Sequence, residues 1–193
     1  MRHMLQKPKR TASRTFWRCE SGQSLVEFSL VFVMLIVLSF GVIDFCRAIY
    51  LRQLLVNLSR ETANLEARGS GSTTVEIMTN ALNAAILEGK PLLDLSSSTG
   101  MVIVSSITNY AGHASISRQF KAGSLVGASS AVAPNGTNTG NTAWLPNTNI
   151  LPADRTVYVA EIYYGFTSIT PVSKFINAIL PAKMGDIAYF SAL

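Results

Sequence analysis

Residues 22–47 read GQSLVEFSLVFVMLIVLSFGVIDFCR, and this stretch decides the architecture. A single charge, Glu27, interrupts the apolar run before Asp44. The 19 residues from Leu25 to Ile43, at ~1.5 Å each in a helix, cover about 28 Å, close to the ~30 Å hydrocarbon core of a bilayer. The stretch therefore reads as a transmembrane helix. A carboxylate inside such a helix costs at least about 2.5–3.5 kcal/mol, so Glu27 calls for a partner or a purpose.

The charge around the run sets its orientation. Six basic residues (Arg2, Lys7, Lys9, Arg10, Arg14, Arg18) and one acid (Glu20) precede Gly22. Their excess of +5 equals the formal charge of the whole chain, so everything after the leader is neutral. The positive-inside rule puts the N-terminus in the cytoplasm and the residues after Asp44 across the membrane. The sequence pI near 9.4 thus reflects the leader, and a nucleic-acid partner is not expected for the body of the chain. A secretory signal peptide has an apolar core of about 7–15 residues and a small-x-small cleavage site. Here the run is longer and ends in Asp44-Phe45-Cys46-Arg47, which reads as an anchor. Of the two cysteines, Cys19 lies in the leader and Cys46 just past the run. If the leader stays in the cytoplasm or is removed they cannot pair, and Cys46 is either a helix packing residue or an intersubunit disulfide partner.

Gly22-Gln23-Ser24-Leu25-Val26-Glu27-Phe28 resembles the processing site of type IV prepilins and pseudopilins, and more closely that of the TadE-like family of tight-adherence (Flp-type) pilus-assembly pseudopilins. The basic leader and the Ile43-Asp44-Phe45-Cys46-Arg47 pattern at the end of the apolar helix belong to the same resemblance. It is specific over about residues 18–67 and one of general layout beyond. It implies a prepilin peptidase cut between Gly22 and Gln23, an assembly or registry role for Glu27 and Phe28, and a membrane-boundary motif at Asp44 and Arg47. The implied partners are the peptidase, the major pilin and other minor pseudopilins, an inner-membrane assembly platform driven by a cytoplasmic ATPase, and membrane lipid. The implied location is the bacterial inner membrane, single pass, with a periplasmic C-terminal domain, and an extracellular pilus after assembly. Phe28 in place of the usual Tyr, and the long tail, favour a minor pseudopilin over the main filament subunit.

The chemistry of the motif stands on its own terms as well. Glycine at Gly22 costs little in the extended conformation a peptidase cleft demands. A cut after it creates an ammonium on Gln23. Glu27 is one helical turn on and shares a face with that terminus. A charge buried in lipid is penalised less when paired, so a subunit entering a helical stack would favour the register in which each Glu27 meets an amine. The plain structural alternative leaves Glu27 at the headgroup boundary.

The helix is expected to continue past the membrane. Leu51, Leu54, Leu55, Leu58 and Leu65 recur at helical spacing, and Gly69-Ser70-Gly71-Ser72 stops them. Thr73-Thr74-Val75-Glu76 fits a capping box, and Met78, Ala81, Leu82, Ala85 and Ile86 make the apolar face of a second helix that Gly89 and Pro91 end. Met101–Tyr110 and Ser115–Phe120 predict a hairpin about Gly112. Thr156–Phe166 is the clearest strand, although both of its faces are mixed. Val172, Phe175, Ile176, Ile179 and Leu180 have helical spacing, and Asp186–Ala192 predicts a last strand. Residues 122–153 are rich in Gly, Asn, Ser and Thr and read as an exposed excursion, with short strands around Leu125–Ala131 and with Trp144 and Leu145 as a contact point or an anchor. Asn135-Gly136-Thr137 matches a glycosylation sequon but carries little weight in a bacterial setting.

The fold class is α+β. A leader over 1–22 precedes a long transmembrane and amphipathic helix over 23–68 and a small pilin-like domain over 69–193, with a second helix and an antiparallel sheet of about three to four strands. No catalytic signature, metal cluster or cofactor motif occurs, and His113 is the only histidine outside the leader. The expectation is therefore a non-enzymatic building block with no cofactor. The alternative is an uncleaved single-pass anchor that presents a binding or adhesion domain to the periplasm.

Overall fold

The computed structural model describes residues 20–69, 73–90, 92–110, 113–133, 142–147, 151, 155–171 and 173–191. The leader before Glu20, the Gly112 turn, Ser70–Ser72, Pro91, Val172, Ala192 and the Asn135 sequon lie outside the described residues. The chain divides into two compact units, Met1–Ser39 and Phe40–Leu193, and helix α1 (Glu20–Arg68) contributes to both.

In the first unit the described residues are the opening turns of α1. Its apolar side chains, Leu25 to Leu38, are all exposed. The hydroxyls of Ser29 and Ser39 donate to the carbonyls of Val26 and Leu35, each at 2.8 Å. A helix that satisfies its own polar groups in this way suits a solvent that offers no hydrogen bonds.

The second unit is built on a four-stranded antiparallel sheet in the order β2-β1-β3-β4. Its strands are β1 (Gly100–Tyr110), β2 (His113–Gly123), β3 (Thr156–Gly165) and β4 (Lys183–Ser191). α2 (Thr74–Gly89) precedes the sheet, and a short α3 (Ser173–Ile179) joins β3 to β4. The Thr73 side chain accepts the Glu76 backbone N–H at 3.4 Å and caps α2 as expected. Leu51, Leu55 and Leu58 of α1 pack with Met78, Leu82 and Ala85 of α2 against Val102, Val104 and Ile162 on one face of the sheet. The opposite face, carrying Ile107, Ile116, Val157 and Val159, is covered by Val132, Ala133, Ala143 and Leu151 of the excursion. The architecture is the expected α+β one.

Burial on both faces explains why β3 shows no clean alternation in sequence, since a strand covered on two sides needs none. β2 runs three residues past Phe120, and a bulge between Ser106 and Ile107 absorbs an extra residue on its side. β4 begins at Lys183, before the expected Asp186. The strands expected around Leu125–Ala131 do not form. A turn at Val126–Gly127 replaces them, and the Ala131 N–H is taken by the Glu161 carboxylate in place of a strand partner. On α1, Leu65 is exposed while Glu66 is buried, so the inward stripe passes through Glu66.

Candidate functional site

The motif residues Gly22, Gln23, Glu27 and Phe28 occupy the first turns of α1 and are exposed. Gln23 Nε2 donates to Glu27 Oε1 at 3.2 Å, so the two residues share a face as their spacing requires. Phe28 and Phe32 stack one turn apart, with ring centroids 6.0 Å from each other. The Gly22–Gln23 bond lies within the helix, which begins at Glu20. A peptidase would have to open this first turn. Helix ends carry unsatisfied backbone N–H groups and fray readily.

Asp44 and Arg47 act inside the second unit. Asp44 is fully buried. Its carboxylate accepts the hydroxyls of Ser168 and Thr170 and the backbone N–H of Ile169. One turn on, Arg47 donates from Nη1 to the Thr167 carbonyl at 2.8 Å and lies over the Phe166 ring, 5.7 Å from its centroid, within the range of a cation–π contact. The two residues therefore clasp the segment Phe166–Thr170 that follows β3. Asp44 is thus more than a marker of the end of the apolar run.

Further along α1, Ser59 donates to Asp186 Oδ2 at 2.6 Å. Ala63 packs with Ala160 and Ala188 in a seam of small residues that lets helix and sheet approach closely. Glu66 is buried, and neither of its carboxyl oxygens has a hydrogen-bond partner among the described residues. Burial pushes its carboxyl well above the ordinary carboxylate range, and Tyr158 is close enough to feel its charge.

On the other face Glu161, also fully buried, holds the excursion. It accepts the Ser130 hydroxyl, the Ala131 N–H and, at 3.2 Å, the Tyr163 hydroxyl. Burial raises its carboxyl while these donors oppose the rise. Gln119 Nε2 extends the network to Ser105 at 2.8 Å and to Ser130 at 3.2 Å. Leu145 packs into the same cover and anchors it, whereas the Trp144 side chain is exposed. Cys46 is an exposed free thiol.

Sequence reading singled out Asp44 and Arg47 but not their partners, since nothing in Thr167-Ser168-Ile169-Thr170 announces a carboxylate cradle. It did not single out Glu161 or Glu66. Both carried a signal: Glu161 is flanked by Val159, Ala160 and Ile162, and Glu66 continues the spacing of Leu55, Ser59 and Thr62. The buried acids with partners each join segments distant in sequence. Among the described residues no three His, Cys, Asp or Glu side chains gather as a metal site requires.

These features define a class, a helix long and apolar enough to span a membrane that continues into a small α+β domain clasped to its far half. The model of the TadE-like protein family matches residues 22–64, from the glycine of the motif to the middle of the packed half of α1. The resemblance read from the sequence thus holds over that stretch, and it associates the chain with pilus components. No curated protein and no solved structure matches the chain.

Proposed function

We propose that this chain is a minor pseudopilin of a tight-adherence (Flp-type) pilus. It waits in the inner membrane with its leader in the cytoplasm and its domain in the periplasm. A prepilin peptidase cuts between Gly22 and Gln23, and the trimmed chain joins or primes a filament through α1. Its partners are the peptidase, the major pilin, other minor pseudopilins and the assembly platform. The observation that carries this reading is the coincidence of three things in one helix: the Gly22–Phe28 motif, the bare apolar face from Leu25 to Leu38, and the TadE-like match over 22–64. A helix whose apolar side chains meet no protein is prepared first for lipid and then for other helices.

Glu27 is a registry group here, not a catalytic one. Once Gln23 carries a free ammonium, a carboxylate one turn away lies within reach of its own terminus or of one from a neighbouring helix. The test is intact mass and N-terminal sequencing of the protein from its native host. A chain beginning at Gln23 is expected. A chain that keeps the basic leader in cells making pili would overturn the proposal and favour the uncleaved anchor with a periplasmic binding domain.

A further inference from the structure

We propose that the connection between β3 and β4, residues 166–182, is a second membrane-contacting element, whose Ile169, Phe175 and Ile179 side chains enter the interfacial layer of a lipid bilayer. The inference rests on reading α1 as a membrane anchor.

α3 has two apolar edges. Ile176, with Leu180 just past the helix end, forms the inner one and packs against the core of the second unit. Ile176 also reaches α1: its Cδ1 lies 3.9 Å from where a Cβ on Gly41 would stand. Gly41 belongs to the last turn of the Leu25–Ile43 run. The start of the connection is tied to the same place, because Asp44 holds Ser168, Ile169 and Thr170. The connection is therefore fixed beside the turn at which the spanning helix leaves the hydrocarbon.

The outer edge meets no protein. Phe175 is 75% exposed and Ile179, one turn later, 78%; Ile169, in the clasped segment, is 67% exposed. Single exposed apolar residues are ordinary. Three large ones on one connection, beside the end of a membrane span, call for a cover. The charge of the connection says which cover. From Phe166 to Gly185 the sequence holds Lys174 and Lys183 and no acid. Lys183 is engaged with the Gly127 carbonyl at 2.5 Å, while Lys174 is exposed beside Phe175. An apolar edge with a basic residue and no acidic one is the pattern of an element lying at about 5–10 Å depth in the headgroup region. Lipid is also the material at hand there whenever α1 spans, so the bilayer is the occupant assigned and not a second copy of the chain.

The full-length chain, with Trp17→Phe and Trp144→Phe as background, is reconstituted into phosphatidylcholine–phosphatidylglycerol vesicles carrying lipids brominated at shallow or deep positions. Separate variants place the only tryptophan at Phe175, Ile179, Leu30 or Val126. Tryptophan at Phe175 or Ile179 is expected to lose about half or more of its emission to shallow bromines, as an interfacial side chain should. Tryptophan at Leu30 should be quenched by deep bromines, and tryptophan at Val126, on an exposed turn, should not be quenched. If the Phe175 and Ile179 probes behave like Val126 while Leu30 is quenched, this inference fails and the anchor reading survives. If Leu30 is also unquenched, both fail. A blue shift at Phe175 that grows with protein-to-lipid ratio without bromine quenching would identify a second copy as the cover and overturn the assignment to lipid.

Discussion

Asp44 and Thr170 lie 126 positions apart and are joined by a hydrogen bond from the threonine hydroxyl to the carboxylate. Ser168 and the Ile169 N–H complete a three-donor cradle around the same buried acid. Hydrogen bonds to a charged group contribute roughly 1.5–3 kcal/mol each, and an orphaned buried donor costs about 1–3 kcal/mol. Asp44→Ala is therefore expected to lower the stability of the domain by about 2–4 kcal/mol, read by denaturant unfolding of the full chain in micelles. Hydrogen exchange supplies the local readout. The Ile169 amide should lose protection in Asp44→Ala, whereas Asp44→Asn, which keeps acceptor capacity, should lose less. Unchanged exchange at Ile169 in both variants would contradict the clasp.

Glu161 does on the opposite face of the sheet what Asp44 does beside α1. It takes donors from Ser130 and Ala131, about thirty positions upstream, and so pins the excursion over Ile107, Val157 and Val159. Glu161→Ala leaves those donors and the Tyr163 hydroxyl without their shared acceptor, and a loss of about 3 kcal/mol is expected. Limited proteolysis should then cut between Ser124 and Arg155 faster than in the unaltered protein. Glu161→Gln keeps one carbonyl acceptor and should lie between the two. Equal cleavage rates in all three proteins would mean that the apolar cover alone holds the excursion.

The elements were legible because periodicity reports which faces are buried. The Leu51–Leu58 stripe, the Thr73 cap, the β1–β2 hairpin and the α3 spacing were each readable in this way. The motif at Gly22–Phe28 and the Asp44–Arg47 pair were legible as sequence signals too. Their use was not, because the partners of Asp44 arrive from a segment that becomes adjacent only when β3 pairs with β1 and β4. The fate of Leu125–Ala131 was hidden for the same reason. Its backbone prefers a carboxylate from β3 to a strand partner, and no local pattern announces that choice. Leu65 and Glu66 show the limit of hydrophobicity as a guide, since the buried position of the two is the charged residue.

Glu66 makes a pH-dependent prediction. Its carboxyl is raised in the folded protein by burial, while an unfolded glutamate titrates near about 4.3. The folded state therefore binds the proton more tightly. Its contribution to stability is fully present below the unfolded value and is lost as pH rises through the folded value. Glu66→Gln stays neutral throughout. The variant should gain on the unaltered protein as pH increases from 4 toward 7, by up to about 1.4 kcal/mol for each unit of upward shift that is not relieved by local opening. Denaturant midpoints measured across that range decide it. Parallel profiles for the two proteins would mean that water or a neighbouring group solvates the carboxylate.

Glu27 differs from Asp44, Glu66 and Glu161 in being exposed, with only Gln23 as its hydrogen-bond partner among the described residues. In a lone subunit the carboxylate can sit at the headgroup layer, so Glu27→Ala should leave membrane insertion unchanged or slightly improved. In a stack of helices the same position is surrounded by apolar side chains, and the ammonium on a processed Gln23 then has no counter-charge in the variant. An unpaired charge at bilayer depth costs at least about 2.5 kcal/mol, more than about tenfold in an assembly equilibrium. Membrane fractionation and a count of surface pili in cells carrying Glu27→Ala separate the two effects. Normal insertion with few pili is expected. Glu27→Asp, with a shorter reach to the same amine, should fall between, and normal piliation in the alanine variant would remove the registry role.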